Sequence, residues 1–255
     1  MAFGFRLSAF SLTVIAACTS TTGGTTVTYD VAAAGVALPN NAIDTAMGWH
    51  VALDKLVVHV GAVYLNLAVA NSGDLTSTAC ILPGIYTGEE LFGLDVDVLS
   101  ATPQPFAQRG HGTDDEARTG EVWLTGGDVN ALADPTIVAD LAGTATSATA
   151  TLPFAARVTI GANRAIPESD PAMPSQHPIC KQRIVTPIAI DFRPRDGGTL
   201  LVTIDPSSWF TTIDFTTLPV IGGVATFPDD NSIPASQNLF TALRSANGTF
   251  NLSFQ

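Results

Sequence analysis

Gly48–Ala70 reads GWHVALDKLVVHVGAVYLNLAVA, and its reading decides the fold. The run is rich in Val and Leu, lacks Pro, and alternates apolar with polar or small residues, which is strand chemistry. Trp49, Val51 and Leu53 share one face. Beyond Asp54-Lys55 the apolar set moves to Leu56, Val58 and Val60. A period-two strand cannot change parity without an extra residue or a turn. Asp54-Lys55 is therefore a β-bulge or the tip of a tight hairpin. Lys at positive φ is disfavoured, which favours the bulge.

The choice decides what two histidines can do. His50 and His59 both fall on the outer side of the strand. In a hairpin they would lie opposite each other, with Cβ atoms about 5 Å apart, close enough to share a metal ion. In one continuous strand they are roughly 25–30 Å apart, at about 3.3 Å per residue.

Around this segment the chain reads as more strands. Val27–Val36 is a first strand, and Pro39-Asn40-Asn41 is a turn. Residues 74–118 show little periodicity and read as a long connection. Glu121–Leu124 is a short strand. Val129–Leu141 fits a strand with a turn at Asp134-Pro135, or a loop with a short helix; the second reading is preferred. Thr144–Ile160 reads as one strand interrupted near Pro153, and Asn163–Gln182 as an irregular loop. Ile184–Phe192 and Thr199–Ile204 read as an antiparallel hairpin closed by Asp196-Gly197. Trp209-Phe210 should plug the core. Asn238–Asn247 is the one helix candidate, with Gly248 as its stop, and Thr249–Phe254 is a closing strand. The sum is an all-β fold: an antiparallel β-sandwich of about 8–10 strands with one short C-terminal helix.

Composition narrows the function classes. The 255 residues are 46% hydrophobic but only 13% charged, with a net charge of −12. Thr, Ser, Asn and Gly must cover the surface, as in exported β-proteins. Two lysines, Lys55 and Lys181, and a strongly acidic balance exclude nucleic acid as a partner, because too few cations face the phosphates.

The first residues look like an address. Arg6 and the amino terminus precede the apolar run LSAFSLTVIAA, too short to span a bilayer. It ends in Ile15-Ala16-Ala17-Cys18. This run resembles the bacterial lipobox, and the resemblance covers only about the first 18 residues. It implies a signal peptide over 1–17, cleavage after Ala17, and acylation (a palmitate-type lipid) on Cys18. Residues 18–26, rich in Thr, Ser and Gly, then look like a flexible tether, and 27–255 form a single β-sandwich domain. Thr19 stands where an inner-membrane retention signal has Asp, so the resemblance implies an outer-membrane lipoprotein, facing the periplasm or the cell surface. The strand and loop layout also resembles Gram-negative envelope lipoproteins that carry no assigned activity.

In an oxidising compartment Cys80 and Cys180 most simply form a disulfide. It would close a loop of about 100 residues, worth up to about 4–5 kcal/mol. The other reading of Cys180 is a metal site with His177, three residues before it.

Motifs for chemistry are scarce. Gly-x-Ser-x-Gly, the phosphate-binding loop, His-Glu-x-x-His and Cys-x-x-Cys are all absent. Asp95-Val96-Asp97, Asp114-Asp115-Glu116 and Asp229-Asp230-Asn231 read as solvated acidic turns. His111 is flanked by Gly110 and Gly112, which would let backbone approach an ion. The preferred expectation is a lipid-anchored, non-enzymatic envelope protein with a binding or structural role, no resident cofactor, and membrane contact through the anchor. The alternatives are a copper- or zinc-binding lipoprotein using His50, His59, His111 and His177, and a hydrolase with its site in the long loops. A protein or metal partner in the envelope goes with the binding role.

Overall fold

The computed structural model describes residues 23–68, 85–125, 134–161, 163–164 and 182–255. These hold two sheets. The first follows the order β12-β9-β4-β5-β8-β1-β13-β16, and the second the order β14-β15-β11-β10-β3-β2. In chain order the strands are β1 (Thr26–Gly35), β2 (Ala42–Asp44), β3 (His50–Val60), β4 (Ala62–Asn66), β5 (Tyr86–Glu90), β6 (Leu94–Asp97), β7 (Gln104–Pro105), β8 (Gly110–Thr113) and β9 (Ala117–Trp123). There follow β10 (Asp134–Thr146), β11 (Thr151–Ile160), β12 (Ile184–Phe192), β13 (Thr199–Ile204), β14 (Val220–Ile221), β15 (Val224–Thr226) and β16 (Phe250–Phe254). The helix α1 spans Pro234–Leu243. Two short strands lie beside the main paths, with β7 on β1 and β6 on β3.

The Asp54-Lys55 region is a bulge. β3 runs unbroken from His50 to Val60, and its pairing with β10 slips between Lys55 opposite Ala142 and Leu53 opposite Gly143. Asp54 is the extra residue. The slip keeps Val51, Leu53, Leu56, Val58 and Val60 all buried. After Gly61 the chain enters the other sheet as β4, so the Gly48–Asn66 run contributes to both layers. Strands that change sheet at a bend make corners of this kind. Side chains of both sheets meet in one core: Tyr29, Val31 and Leu65 from the first, Val51, Leu56 and Phe154 from the second. Trp209 and Phe210 are buried in it as expected.

Among the described residues the fold is all-β with one short α-helix, and it differs from the expected sandwich in three ways. Sixteen strands are formed among the described residues rather than eight to ten, because many are only two to five residues long. The first sheet curls until its ends meet, with the rings of Phe192 (β12) and Phe254 (β16) 5.7 Å apart, so that this layer is nearly a closed barrel. Two pairs, β1–β13 and β11–β15, are parallel.

The parallel β1–β13 pair has a local cause in the supposed hairpin. Ile184–Phe192 and Thr199–Ile204 do not pair. Asp196 accepts a hydrogen bond from the Thr28 N–H (3.0 Å), and the Gly197 N–H donates to the Thr28 carbonyl (2.9 Å). The Asp-Gly turn is welded to β1, so β13 runs beside β1 and β12 is sent to β9.

Other expectations are corrected. Residues 85–118 are not a structureless connection, since they hold β5 to β8 and the start of β9. Residues 134–141 belong to β10, not to a helix. Thr144–Ile160 is not one interrupted strand: it turns at Ser147–Ala150, and Pro153 sits inside β11. The helix starts and stops four residues early. Pro234 opens it, at the position where a missing N–H costs nothing. Leu239, Phe240 and Leu243 are buried as expected, whereas Gly248 (φ +90°) serves the turn into β16 rather than the helix end.

Candidate functional site

The histidines do not form a shared centre. Each outer-face histidine of β3 pairs with the aspartate opposite it in the ladder. His50 Nδ1 lies 2.7 Å from Asp44 Oδ1 across β2, and His59 Nδ1 lies 2.7 Å from Asp95 Oδ1 across β6. The unbroken strand keeps the two rings roughly 30 Å apart. His111 is on β8, in the other sheet, where its Nδ1 sits 3.5 Å from Thr28 Oγ1. Among the described residues no three His, Cys, Asp or Glu side chains converge as metal ligands. Cys18, Cys80, His177 and Cys180 lie outside the described residues, and with them the acylation site, the disulfide and the His-x-x-Cys pair.

The acidic turns do structural work. Asp114 Oδ1 accepts the Thr25 N–H at 2.6 Å, and Asp115 Oδ2 accepts the Gly24 N–H at 3.1 Å and the Thr113 hydroxyl at 2.8 Å. Glu116 pairs with Arg118 at 2.8 Å. This run therefore clasps the backbone just before β1. The glycines around His111 serve packing, not an ion. A Cβ on Gly110 would stand 2.3 Å from the Tyr29 ring, and one on Gly112 would stand 2.3 Å from the Thr87 carbonyl oxygen. Asp97 Oδ1 accepts the Leu99 N–H, and Asp229 holds the buried Arg164.

The strongest candidate is a face that no motif announces. On β5, β4 and β9 the rings of Tyr86, Tyr64 and Trp123 stand in a row, with centroids 5.2 and 5.3 Å apart. Tyr64 lies opposite Glu89 on one side and Glu121 on the other, and Asn66 lies opposite Tyr86. All of these belong to one face of the sheet. Glu121 is fully buried behind the rings, where Asn66 Nδ2 donates to Oε1 (3.0 Å) and Trp123 Nε1 donates to Oε2 (3.2 Å). Burial raises the Glu121 pKa, and the two hydrogen bonds only partly offset it. Burial, then Glu89 and Glu121, raises the pKa of Tyr64; burial, then Glu121 and Tyr64, pushes Tyr86 up to about 12. Both phenols therefore stay neutral. The buried Asn66 Oδ1 has no hydrogen-bond partner among the described residues. The face thus presents aromatic surfaces and the exposed Glu89 carboxylate, with Glu121 and the Asn66 Oδ1 acceptor sealed behind the rings. That set attracts a positively charged, hydrogen-bond-donating group. Sequence reading missed it because the residues come from three separated strands, and only the ladder register puts them together.

A second perturbed carboxylate lies on the other face of the same strands. Glu90 is 1% exposed; its Oε1 accepts the Phe92 N–H at 2.8 Å, and its Oε2 has no hydrogen-bond partner among the described residues. Burial pushes its pKa up to about 7, against the lowering by the Phe92 N–H. The unfolded chain holds this carboxyl near the usual ~4.3. The folded state therefore binds the proton more tightly, and stability falls as pH rises from about 4.3 to about 7. We expect Glu90→Gln to flatten this slope and to stabilise the protein at pH 8 by about 1–3 kcal/mol. Urea denaturation of both proteins at pH 5 and pH 8 checks it. Parallel pH slopes would contradict the assignment.

Among the described residues no helix is long and apolar enough to cross a membrane. Compared with protein-family models, curated proteins and solved structures, the chain matches none.

Proposed function

We propose that this chain is a lipid-anchored cell-envelope protein whose β body binds a ligand without transforming it. The observation that carries this reading is the run Ile15-Ala16-Ala17-Cys18 after a short apolar stretch, followed at once by a Thr/Ser/Gly segment. Thr19–Thr25 separate that thiol from the first strand, so the body starts close to the point of anchorage. The layers read as a sandwich in which one sheet has rolled up. The aromatic face of β4, β5 and β9 is the binding element. Its carboxylates and the net charge of −12 favour a ligand bearing an ammonium or guanidinium group. Outer-membrane placement follows from Thr19 on the lipobox resemblance.

Cell fractionation of a producing Gram-negative strain tests the anchor. The native chain is expected in the membrane fraction, and Cys18→Ala in the soluble fraction. A Cys18→Ala protein that sediments with membranes as fully as the native chain would remove the reading.

A further inference from the structure

Strand register fixes which end of the barrel-like sheet lies next to the tether. Val27 of β1 and Gly88 of β5 both lie opposite Gly112 of β8, and Thr28 and Glu89 both lie opposite His111. Counting back along β1 and past the β5 bulge at Thr87, where Leu65 faces Gly88 and Asn66 faces Tyr86, Thr26 is level with Tyr86 and Thr25 with Ile85. Two strand spacings, about 10 Å, separate them. Leu67 joins the same rim, its N–H donating to the Ile85 carbonyl at 2.9 Å. Among the described residues three apolar side chains are exposed on this rim: Ile85 is 62% exposed, Tyr86 45% and Leu67 38%. Asp114 and Asp115 clasp Thr25 and Gly24, so the tether leaves from a fixed place on it.

We infer that the Leu67–Ile85–Tyr86 rim docks on the surface of a net-neutral phospholipid bilayer. The inference rests on the lipid anchor proposed above. From Cys18 to Gly24 the chain reaches at most about 20 Å, even fully extended. An acyl chain in the bilayer therefore holds this rim beside the headgroups. The opposite rim, with Leu91 and Phe92, stands a strand length further out. Tyrosine suits the headgroup level, and Leu and Ile suit the boundary below it. Charge selects the lipid. Asp114, Asp115 and Glu116 lie at the same rim; Arg118 pairs with Glu116 and Arg193 reaches the Asp114 carbonyl, but the chain as a whole carries −12, so an anionic surface would repel it.

The test uses the acylated full-length protein in vesicles of phosphatidylcholine with brominated chains, which quench nearby indoles. Ile85→Trp and Tyr86→Trp report from the docking rim, Phe92→Trp from the opposite rim, and the native chain sets the baseline. The emission added by Ile85→Trp and Tyr86→Trp is expected to be mostly lost in these vesicles, and that added by Phe92→Trp retained. Quenching at the docking rim should weaken when phosphatidylglycerol with the same brominated chains replaces most of the phosphatidylcholine, so that the quencher density is unchanged. Acylated, vesicle-bound protein with equal quenching at both rims overturns the docking alone. Protein with no acyl group by mass overturns the anchor and the docking together.

Discussion

Replacing Arg164 with Met is expected to destabilise the protein by about 3 kcal/mol, the lower end of the range for breaking a buried ion pair. Arg164 is 1% exposed and makes a fork of contacts. Its Nη2 lies 2.7 Å from Asp229 Oδ1, and its Nη1 donates to the Asp230 carbonyl (2.7 Å) and to Asn231 Oδ1 (3.1 Å). The guanidinium also lies over the Phe240 ring, 4.5 Å from its centroid. It thus ties the end of β11 to the 229–231 turn and to α1. Removing it leaves Asp229 without its counter-charge, although Asp229 keeps the Thr159 N–H and hydroxyl, and its side chain is 34% exposed. Those partners hold the expected loss at the lower end. Arg164→Lys restores the charge but not the planar fork, so it should recover only part of the loss. Urea midpoints of the three proteins measure this. A Met variant as stable as the native chain would show that the latch contributes nothing.

The second large effect is expected at Phe154. Its ring lies 5.0 Å from Phe215, 5.8 Å from Phe210 and 6.3 Å from Phe227, and Phe215 continues to Trp49 at 5.3 Å. It is the hub of an aromatic cluster that joins β11 to the chain between β13 and α1. Phe154→Ala should cost about 3–5 kcal/mol, the transfer of the ring plus the cavity it leaves. Phe92→Ala removes a ring that is 54% exposed and should stay within about 0.5 kcal/mol of the native stability. Equal losses at the two positions would contradict the placement of the core.

How much of this was legible in the chain depends on the range of each interaction. The parity shift at Asp54-Lys55 is a local signal: it allows a bulge or a hairpin tip, the poor fit of Lys to a tight turn favours the bulge, and β3 has the bulge. β1, β16 and the Leu239–Phe240–Leu243 stripe were also legible, because each carries its own periodicity. The hairpin at Asp196-Gly197 failed because a turn signal says that the chain reverses, not which strand receives it; here β1 does. The short strands between Tyr86 and Thr113 had too few residues to show a period. They exist because neighbours already in place accept their backbone groups.

The candidate site was less legible for a related reason. Single residues attract attention in a sequence when they are rare, as the histidines are. The ladder gives His50 and His59 one aspartate each and leaves His111 in another sheet. Tyr64, Tyr86, Trp123 and Glu121 are unremarkable in order along the chain. They become a site only when β5, β4 and β9 lie side by side in register. Asp114 and Asp115, read as a solvated turn, gain their role only because the start of β1 passes next to them.

The most direct test of the lipid-anchored reading is the intact mass of the protein extracted from membranes of a producing Gram-negative bacterium. The reading predicts a chain that begins at Cys18 and carries glyceryl-linked fatty acid on that residue. An unmodified chain, whether it starts at Met1 or at any residue other than Cys18, would contradict it.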